Sequence, residues 1–119
     1  MATSTFEARV RHQPAVAIID LQGEINVLAE EILNTAYEEA AKQQPEVILL
    51  NFRDIAYINS TGIALVVGLL KRSRQAKRTL AACNMSDHYR EIFHITRLTD
   101  YMRLFPDEAS ALAETKGQP

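Results

Sequence analysis

The segment EVILLNF, residues 46–52, constrains the fold more than any other part of the chain. It is too short for a core helix and too continuously apolar for a strand with one solvent-facing side, so it predicts a strand in the middle of a sheet. Amphipathic segments of helical length lie before and after it. This pattern is typical of strands connected by crossover helices, and it predicts an α/β protein.

The remaining elements follow from the same periodicities. FEARVRH and AVAIIDLQG flank Gln13-Pro14 and predict an antiparallel hairpin whose second strand ends at Gly23. Further predicted elements are a helix from about Val27 to Gln43 with Ile32 among its buried positions, a helix from about Ser60 to Ala76, the strand TLAAC, the helix SDHYREIFHI capped by Ser86 or Asp87, and the helix PDEASALAE opened by Pro106. RDIAYI is interpreted as a loop.

Together these elements predict a small mixed β-sheet of about four to five strands, with an N-terminal antiparallel hairpin followed by parallel strands. The second strand has one wholly apolar face, so we expect the helices to pack mainly on one side of the sheet. The residues expected to share one core are Ile19, Leu21, Ile48, Leu50, Ile63, Val66 and Leu70.

Length and charge limit the protein's organisation and partners. With 119 residues, of which 47% are hydrophobic, we expect one domain over residues 1–119, with an ordered core at about 6–113. A formal net charge of -2 gives no general attraction to nucleic acid or anionic lipid. Cys83 is the only cysteine, and no apolar stretch has the length of a membrane span. We therefore expect a cytoplasmic protein without membrane insertion or nucleic-acid binding.

The polar step Asn59-Ser60-Thr61-Gly62 lies directly before an apolar helical run. Ser60 is at or near the N-cap of that helix, and two interpretations are open. The hydroxyl can cap the helix, as serine often does. Alternatively, it can carry a phosphate at the positive end of the helix dipole, next to unpaired N–H groups and to the accessible backbone of Gly62.

The helix after this step is apolar on two sides. Ile63, Val66 and Leu70 share one side, whereas Leu65 and Leu69 point nearly the opposite way. The second side is either covered by another element, such as the helix after Ser86, or exposed to a partner. We predict that Leu65 and Leu69 border a partner surface.

The segment VILLNFRDIAYINSTGIALVVGLL resembles the STAS domain of anti-sigma-factor antagonists, and AIIDLQGEIN resembles the strand and turn before that family's first helix. The resemblance implies a switch protein, not an enzyme. Unphosphorylated members bind a kinase-type anti-sigma factor, which inactivates them by phosphorylation, and a PP2C-type phosphatase resets them. Carried over to this chain, the phosphoacceptor is Ser60, and the binding region contains Asn26, Asn59, Thr61 and Gly62. Thr61 is expected to be mainly structural.

Three positions that are usually aspartate in this family are asparagine here: Asn26, Asn51 and Asn59. Asparagine still caps and forms turns but carries no charge, so up to three repulsions near a Ser60 phosphate are removed. The change also fits a member whose partner contact is independent of phosphorylation. The alternatives are a STAS subunit of a lipid-transport ABC complex and a scaffold component of a stress-sensing assembly. Self-association into a weak homodimer is left open.

Other chemistry has little support in the sequence. Cys83, His88 and His94 do not have the spacing of a zinc site, Ser60 has no G-x-S-x-G context, and there is no glycine-rich phosphate loop. We therefore expect no metal, no cofactor and no catalytic residues.

Overall fold

The computed structural model describes residues 6–116, which contain one five-stranded sheet whose strands lie side by side in chain order. The first two strands are antiparallel, and each later neighbouring pair is parallel. The elements are β1 Glu7–Gln13, β2 Val16–Ile25, α1 Glu30–Ala41, β3 Val47–Ile58, α2 Ser60–Gln75, β4 Thr79–Cys83, α3 Asp87–Ile95, β5 Arg103–Phe105 and α4 Glu108–Lys116, with 3₁₀ turns at Val27–Ala29 and Leu98–Asp100. The predicted mixed α/β fold is confirmed.

Two apolar cores lie on opposite faces of the sheet. The larger core joins the sheet to α1, α2 and α3, and it contains all seven predicted core residues, of which only Ile63 is partly exposed. The smaller core joins the other face to α4, where Ala111 packs near Ile18 and Leu49. Because three of the four helices share one face, the predicted one-sided arrangement is also confirmed.

Strand β3 is longer than the sequence indicates. RDIAYI, interpreted above as a loop, continues the strand to Ile58, and β2 likewise continues past Gly23 to Ile25. At two register shifts β3 has an extra residue relative to β2, which breaks the alternation that would have identified a strand. These extensions bring the ends of β2 and β3 together at Ile25 and Ile58.

The first predicted helix begins as the 3₁₀ turn Val27–Ala29, and the α-helix starts at Glu30. The expectation that Ile32 is buried is wrong, because its side chain is 42% exposed. Ser86 caps α3 as expected, accepting a hydrogen bond from Tyr89 N. Over residues 6–116 no helix combines the length and hydropathy that a bilayer span requires.

Candidate functional site

Asn59 joins the end of β3 to the start of α2 and makes three hydrogen bonds there. Its Oδ1 accepts from Gly62 N at 2.8 Å, and its carbonyl oxygen accepts from Ile63 N at 3.0 Å. Its N–H donates to the carbonyl oxygen of Ile25 at 3.2 Å. Asn59 is therefore the N-cap, and Ser60 is the first residue of the helix.

Ser60 and Thr61 are both exposed at this helix start. In the part of the chain that the structure describes, neither hydroxyl makes a hydrogen bond, so no hydrogen bond supports a structural role for Thr61. The N–H groups of the first two helical residues have no acceptor within the helix. The Ser60 hydroxyl is thus accessible, has no capping role, and lies beside free N–H donors at the positive end of a 16-residue helix.

Gly62 is buried against the end of β2. A Cβ atom at this position would lie 2.1 Å from the Ile25 carbonyl oxygen and 2.9 Å from Ile58 Cγ2. Only glycine permits this approach. The expectation that Gly62 leaves accessible backbone is wrong, because its N–H is bound to Asn59 and its Cα is packed against Ile25.

Tyr89 of α3 holds the last residue of β3. Ile58 N donates to Tyr89 Oη at 3.0 Å in the interior, and Tyr89 is 9% exposed. Neither Tyr89 nor the Ile25 carbonyl was predicted from the sequence as a determinant of the site. The available signal was that Tyr89 lies one turn before Phe93 on the buried face of α3, and a buried tyrosine hydroxyl needs a polar partner.

Asn26 lies next to Ile25, so the structure brings it to the same region as Asn59. Its Oδ1 accepts from Leu28 N at 2.9 Å, which caps the 3₁₀ turn. Two neutral amide caps therefore stand at the adjoining ends of β2 and β3. Because both are asparagine and not aspartate, neither Asn26 nor Asn59 adds negative charge at the start of α2.

Leu69 does not lie at the surface. It is 1% exposed and shares a buried stripe with Gly62, Val66 and Ser73, spaced by one or two helical turns. Ser73 fits this stripe because its hydroxyl is 2.8 Å from Tyr37 Oη. The prediction that Leu69 borders a partner surface is wrong, and Leu65 is partly buried against the same core.

Asn51 belongs to a different site on the opposite face of the sheet. Its Nδ2 donates to Asp20 Oδ1 at 2.8 Å, and its Oδ1 accepts from Asn84 Nδ2 at 3.0 Å. Ile58, which ends β3 two residues before Ser60, lies seven residues beyond Asn51, roughly 20 Å away at the rise of a strand. The expectation that Asn51 lies near a Ser60 phosphate is therefore wrong.

The network around Asn51 connects β1, β2 and α4. The Arg11 guanidinium donates to both carboxylate oxygens of Asp20, at 2.6 and 2.9 Å, and to both of Glu108, at 3.2 and 2.6 Å. The hydrogen bonds from Arg11, together with that from Asn51, hold the pKa of Asp20 below its usual value. Burial, aided by the carboxylates of Glu108 and Asp20, raises the pKa of the Cys83 thiol to about 12, so this thiol stays protonated at neutral pH.

The exposed apolar side chains near the start of α2 are not those predicted. Val27 is 60% exposed, Leu28 81% and Tyr57 52%. All three are close in sequence to Ile25 or Ile58, the paired strand ends that hold the start of α2. Residues 6–116 contain no group of three His, Cys, Asp or Glu side chains placed to hold a metal ion.

Comparisons with known proteins show which proteins this chain is similar to. The family model for the STAS domain matches residues 7–111. The anti-sigma-B factor antagonist of Staphylococcus aureus is 30% identical over 90 residues, covering 72% of this chain and 80% of that protein. The anti-sigma F factor antagonist of Paenibacillus polymyxa is 23% identical over 110 residues, covering 92% and 94%.

The fold is also similar to that of the Bacillus cell fate determinant SpoIIAA in its phosphorylated form. That structure superimposes with a TM-score of 0.70 at 22% identity, covering 93% of this chain and 99% of that one. The relatives above carry the antagonist name, and the family model spans nearly all of the described residues. The chain belongs to the STAS domain family, and the Staphylococcus aureus and Paenibacillus polymyxa relatives are named as anti-sigma-factor antagonists.

Proposed function

We propose that this protein is an anti-sigma-factor antagonist that works by partner switching, with Ser60 as its phosphoacceptor. Its unphosphorylated form binds a kinase-type anti-sigma factor and so releases the sigma factor. The observation that carries the proposal is the exposed Ser60 hydroxyl, which makes no hydrogen bond within residues 6–116 and stands at a helix start already capped by Asn59. The antagonist names of the relatives support it.

The switch works because a phosphate has different costs in the free and bound states. In the free protein, its charge of about -1.5 to -2 lies on the positive end of the α2 dipole, within reach of the Ser60 and Thr61 N–H groups. The neutral caps Asn26 and Asn59 add no repulsion. Against an apolar partner surface, the same charge must be desolvated, at a cost of several kcal/mol unless it is paired.

The exposed side chains of Val27, Leu28 and Tyr57 provide the apolar part of this contact. The protein acts by binding and not by catalysis, in the cytoplasm, where the anti-sigma factor is its kinase and a PP2C-type phosphatase restores the hydroxyl. The expected complex therefore forms with Ser60 at the edge of the interface, where one modification blocks docking.

The experiment combines site mapping with binding. The protein is incubated with the kinase-type anti-sigma factor and ATP, and the modified residue is located by mass spectrometry. Binding of Ser60→Ala, Ser60→Asp and the neighbouring control Thr61→Ala is measured by calorimetry. We expect phosphate on Ser60, wild-type affinity for Ser60→Ala and Thr61→Ala, and an affinity loss of about a hundredfold or more for Ser60→Asp. Phosphate only elsewhere, or equal binding by both Ser60 variants, would favour a scaffold or transporter-subunit role.

A further inference from the structure

We propose that the turn Val27–Ala29 and the outer face of α1 form a docking groove for a positively charged, amphipathic segment of the protein partner. The inference rests on the proposed function for the partner's identity, but it concerns a surface that does not include Ser60. The docking groove is lined by Val27, Leu28, Glu30, Glu31, Asn34, Thr35 and Glu38.

The apolar part of the docking groove is unusually exposed. Leu28 is 81% exposed and Val27 60%, although both belong to a turn that is fixed by the Asn26 cap. Ile32, 42% exposed, lies one helical turn after Leu28 and extends the apolar strip along α1. The larger core faces Leu33, Ala36, Tyr37 and Ala40 on the other side of the helix. The strip is therefore held rigidly in solvent and makes no contribution to that core.

The charge of the docking groove indicates which kind of partner segment it binds. Glu30, Glu31 and Glu38 line the docking groove, and of these only Glu38 has an ion pair within residues 6–116, to Arg72 at 3.7 Å. Favourable interaction with the helix dipole accounts for carboxylates in the first turn of α1. It does not account for exposed Leu28 and Ile32 beside them. A surface that combines these features complements lysine or arginine next to apolar side chains, and it repels nucleic acid and anionic lipid.

The size of the docking groove fits a short segment. It has a volume of about 620 Å³, and its lining on α1 runs from Glu30 to Glu38, which is about 12 Å at the rise of an α-helix. Two or three helical turns of a partner, or an extended stretch of similar length, would cover it. Arg72, which donates to Asn34 Oδ1 at 3.3 Å, marks the end remote from Val27.

The docking groove and Ser60 contribute to different steps of binding: the groove to the first contact, and Ser60 to formation of the stable complex. The carboxylates attract the kinase-type anti-sigma factor whether or not Ser60 is phosphorylated, so this contact supports both the phosphorylation step and the stable complex. The charge on Ser60 then decides whether docking is completed. Weakening the docking groove should therefore reduce both binding and the rate of Ser60 phosphorylation.

The experiment compares charge reversals on one helix. Glu31→Lys changes the docking groove, and Glu39→Lys makes the same change of charge at an exposed position of α1 outside it. Leu28→Ser removes the apolar contact. We expect Glu31→Lys and Leu28→Ser each to weaken binding of the kinase-type anti-sigma factor about tenfold, and Glu39→Lys to leave it nearly unchanged. For Glu31→Lys the loss should shrink as salt rises from about 0.05 to about 0.5 M. Circular dichroism confirms that each variant is folded.

A second probe makes the result independent of the proposed function. A fluorescent helical peptide of lysine and leucine should bind the wild-type chain, with amide NMR shifts confined to Val27 through Glu38. The same peptide with glutamate for lysine should not bind. Equal effects of Glu31→Lys and Glu39→Lys, or shifts elsewhere on the surface, would overturn the docking groove even if Ser60 proves to be the switch. Failure of the anti-sigma factor to bind any form, with the lysine peptide still bound at α1, would overturn only the proposed function.

Discussion

Gly62 packs its Cα against the carbonyl of Ile25, so a methyl group there would lie 2.1 Å from that oxygen. The obstacle is backbone, which cannot rotate away as the end of a long side chain can. We expect Gly62→Ala to lower the free energy of unfolding by about 3 kcal/mol, at the upper end of overpacking costs. Urea unfolding followed by circular dichroism measures this value.

Gly68 provides a control in the same helix, because a Cβ there would meet nothing within 4 Å. Gly68→Ala should raise the free energy of unfolding by about 1 kcal/mol, since alanine loses less backbone entropy in a helix. Equal effects of the two substitutions would mean that α2 does not approach the end of β2 as closely as the structure shows.

Leu69 and Leu65 differ in burial although both belong to α2 and both were predicted to face a partner. Leu69 is 1% exposed within the larger core, whereas Leu65 lies partly exposed at its margin. We expect Leu69→Ala to cost about 3 kcal/mol of stability and Leu65→Ala about 1 kcal/mol. Thermal unfolding of the two variants tests this. A small effect of Leu69→Ala on stability together with a large loss of partner binding would mean that Leu69 does border a partner surface.

The error at Leu69 shows why sequence periodicity located the core only partly. The buried stripe of α2 runs through Gly62 and Ser73, a small residue and a polar one, which an apolar pattern passes over. Ser73 is buried because Tyr37, from a different helix, supplies its hydrogen-bond partner. Such a pairing between α1 and α2 is not encoded in either segment alone.

The same limit applies to the strands and the site. The apolar runs of β2, β3 and β4 were recognised because their alternation or continuity is local. The second half of β3 was missed because its two register shifts are set by the pairing with β2, and β5 was missed because three residues carry no period. At the site, the local motif identified Asn59 and Ser60, whereas Tyr89 depends on how α3 packs.

Helix α4 is held to the sheet partly by the cation of Arg11, which joins Asp20 of β2 to Glu108 of α4. This pairing lowers the pKa of Asp20 in the folded state. A lowered folded pKa contributes stability above the unfolded value near 3.9, and that contribution is lost as pH falls below it. We therefore expect the free energy of unfolding to fall between about pH 5 and pH 2.

Arg11→Met tests this assignment because it keeps an apolar stem and removes the donors. With the three side chains about 30 to 40% exposed, the variant should lose on the order of 1 kcal/mol at neutral pH. Its stability should also fall less steeply with acid. Part of the slope remains, since the N–H of Ser110 also lowers the pKa of Asp107. Urea unfolding of wild-type and Arg11→Met protein between about pH 5 and pH 2 measures both slopes. If the free energy of unfolding falls equally steeply with acid in both proteins, Arg11 does not have this role.

Taken as a whole, the molecule holds its candidate switch rigid. The backbone around Ser60 is fixed by the Asn59 cap, by the packing of Gly62 on Ile25 and by the Tyr89 hydroxyl, and none of these contacts uses the Ser60 side chain. A charge on Ser60 therefore does not need to rearrange any element. In the proposed switch, we therefore expect the signal to be a change in surface charge and not a change of fold.

It follows that phosphorylation should leave the free protein as stable as before, or slightly more so. The α2 dipole should stabilise the phosphate, or the carboxylate of Ser60→Asp, by about 0.5 to 1 kcal/mol at low ionic strength. This gain should disappear in about 1 M salt, where the Debye length is only about 3 Å. Urea unfolding of wild-type, phosphorylated and Ser60→Asp protein at two salt concentrations measures this gain, with Ser60→Ala as the uncharged control.

Amide NMR shifts of the phosphorylated protein should change only around the starts of α1 and α2. Destabilisation by several kcal/mol, or NMR shifts spread over α3 and β4, would show instead that the phosphate changes the structure of the domain. An effect of the phosphate could reach α3 and β4 only by breaking a contact such as the hydrogen bond from Ile58 N to Tyr89 Oη.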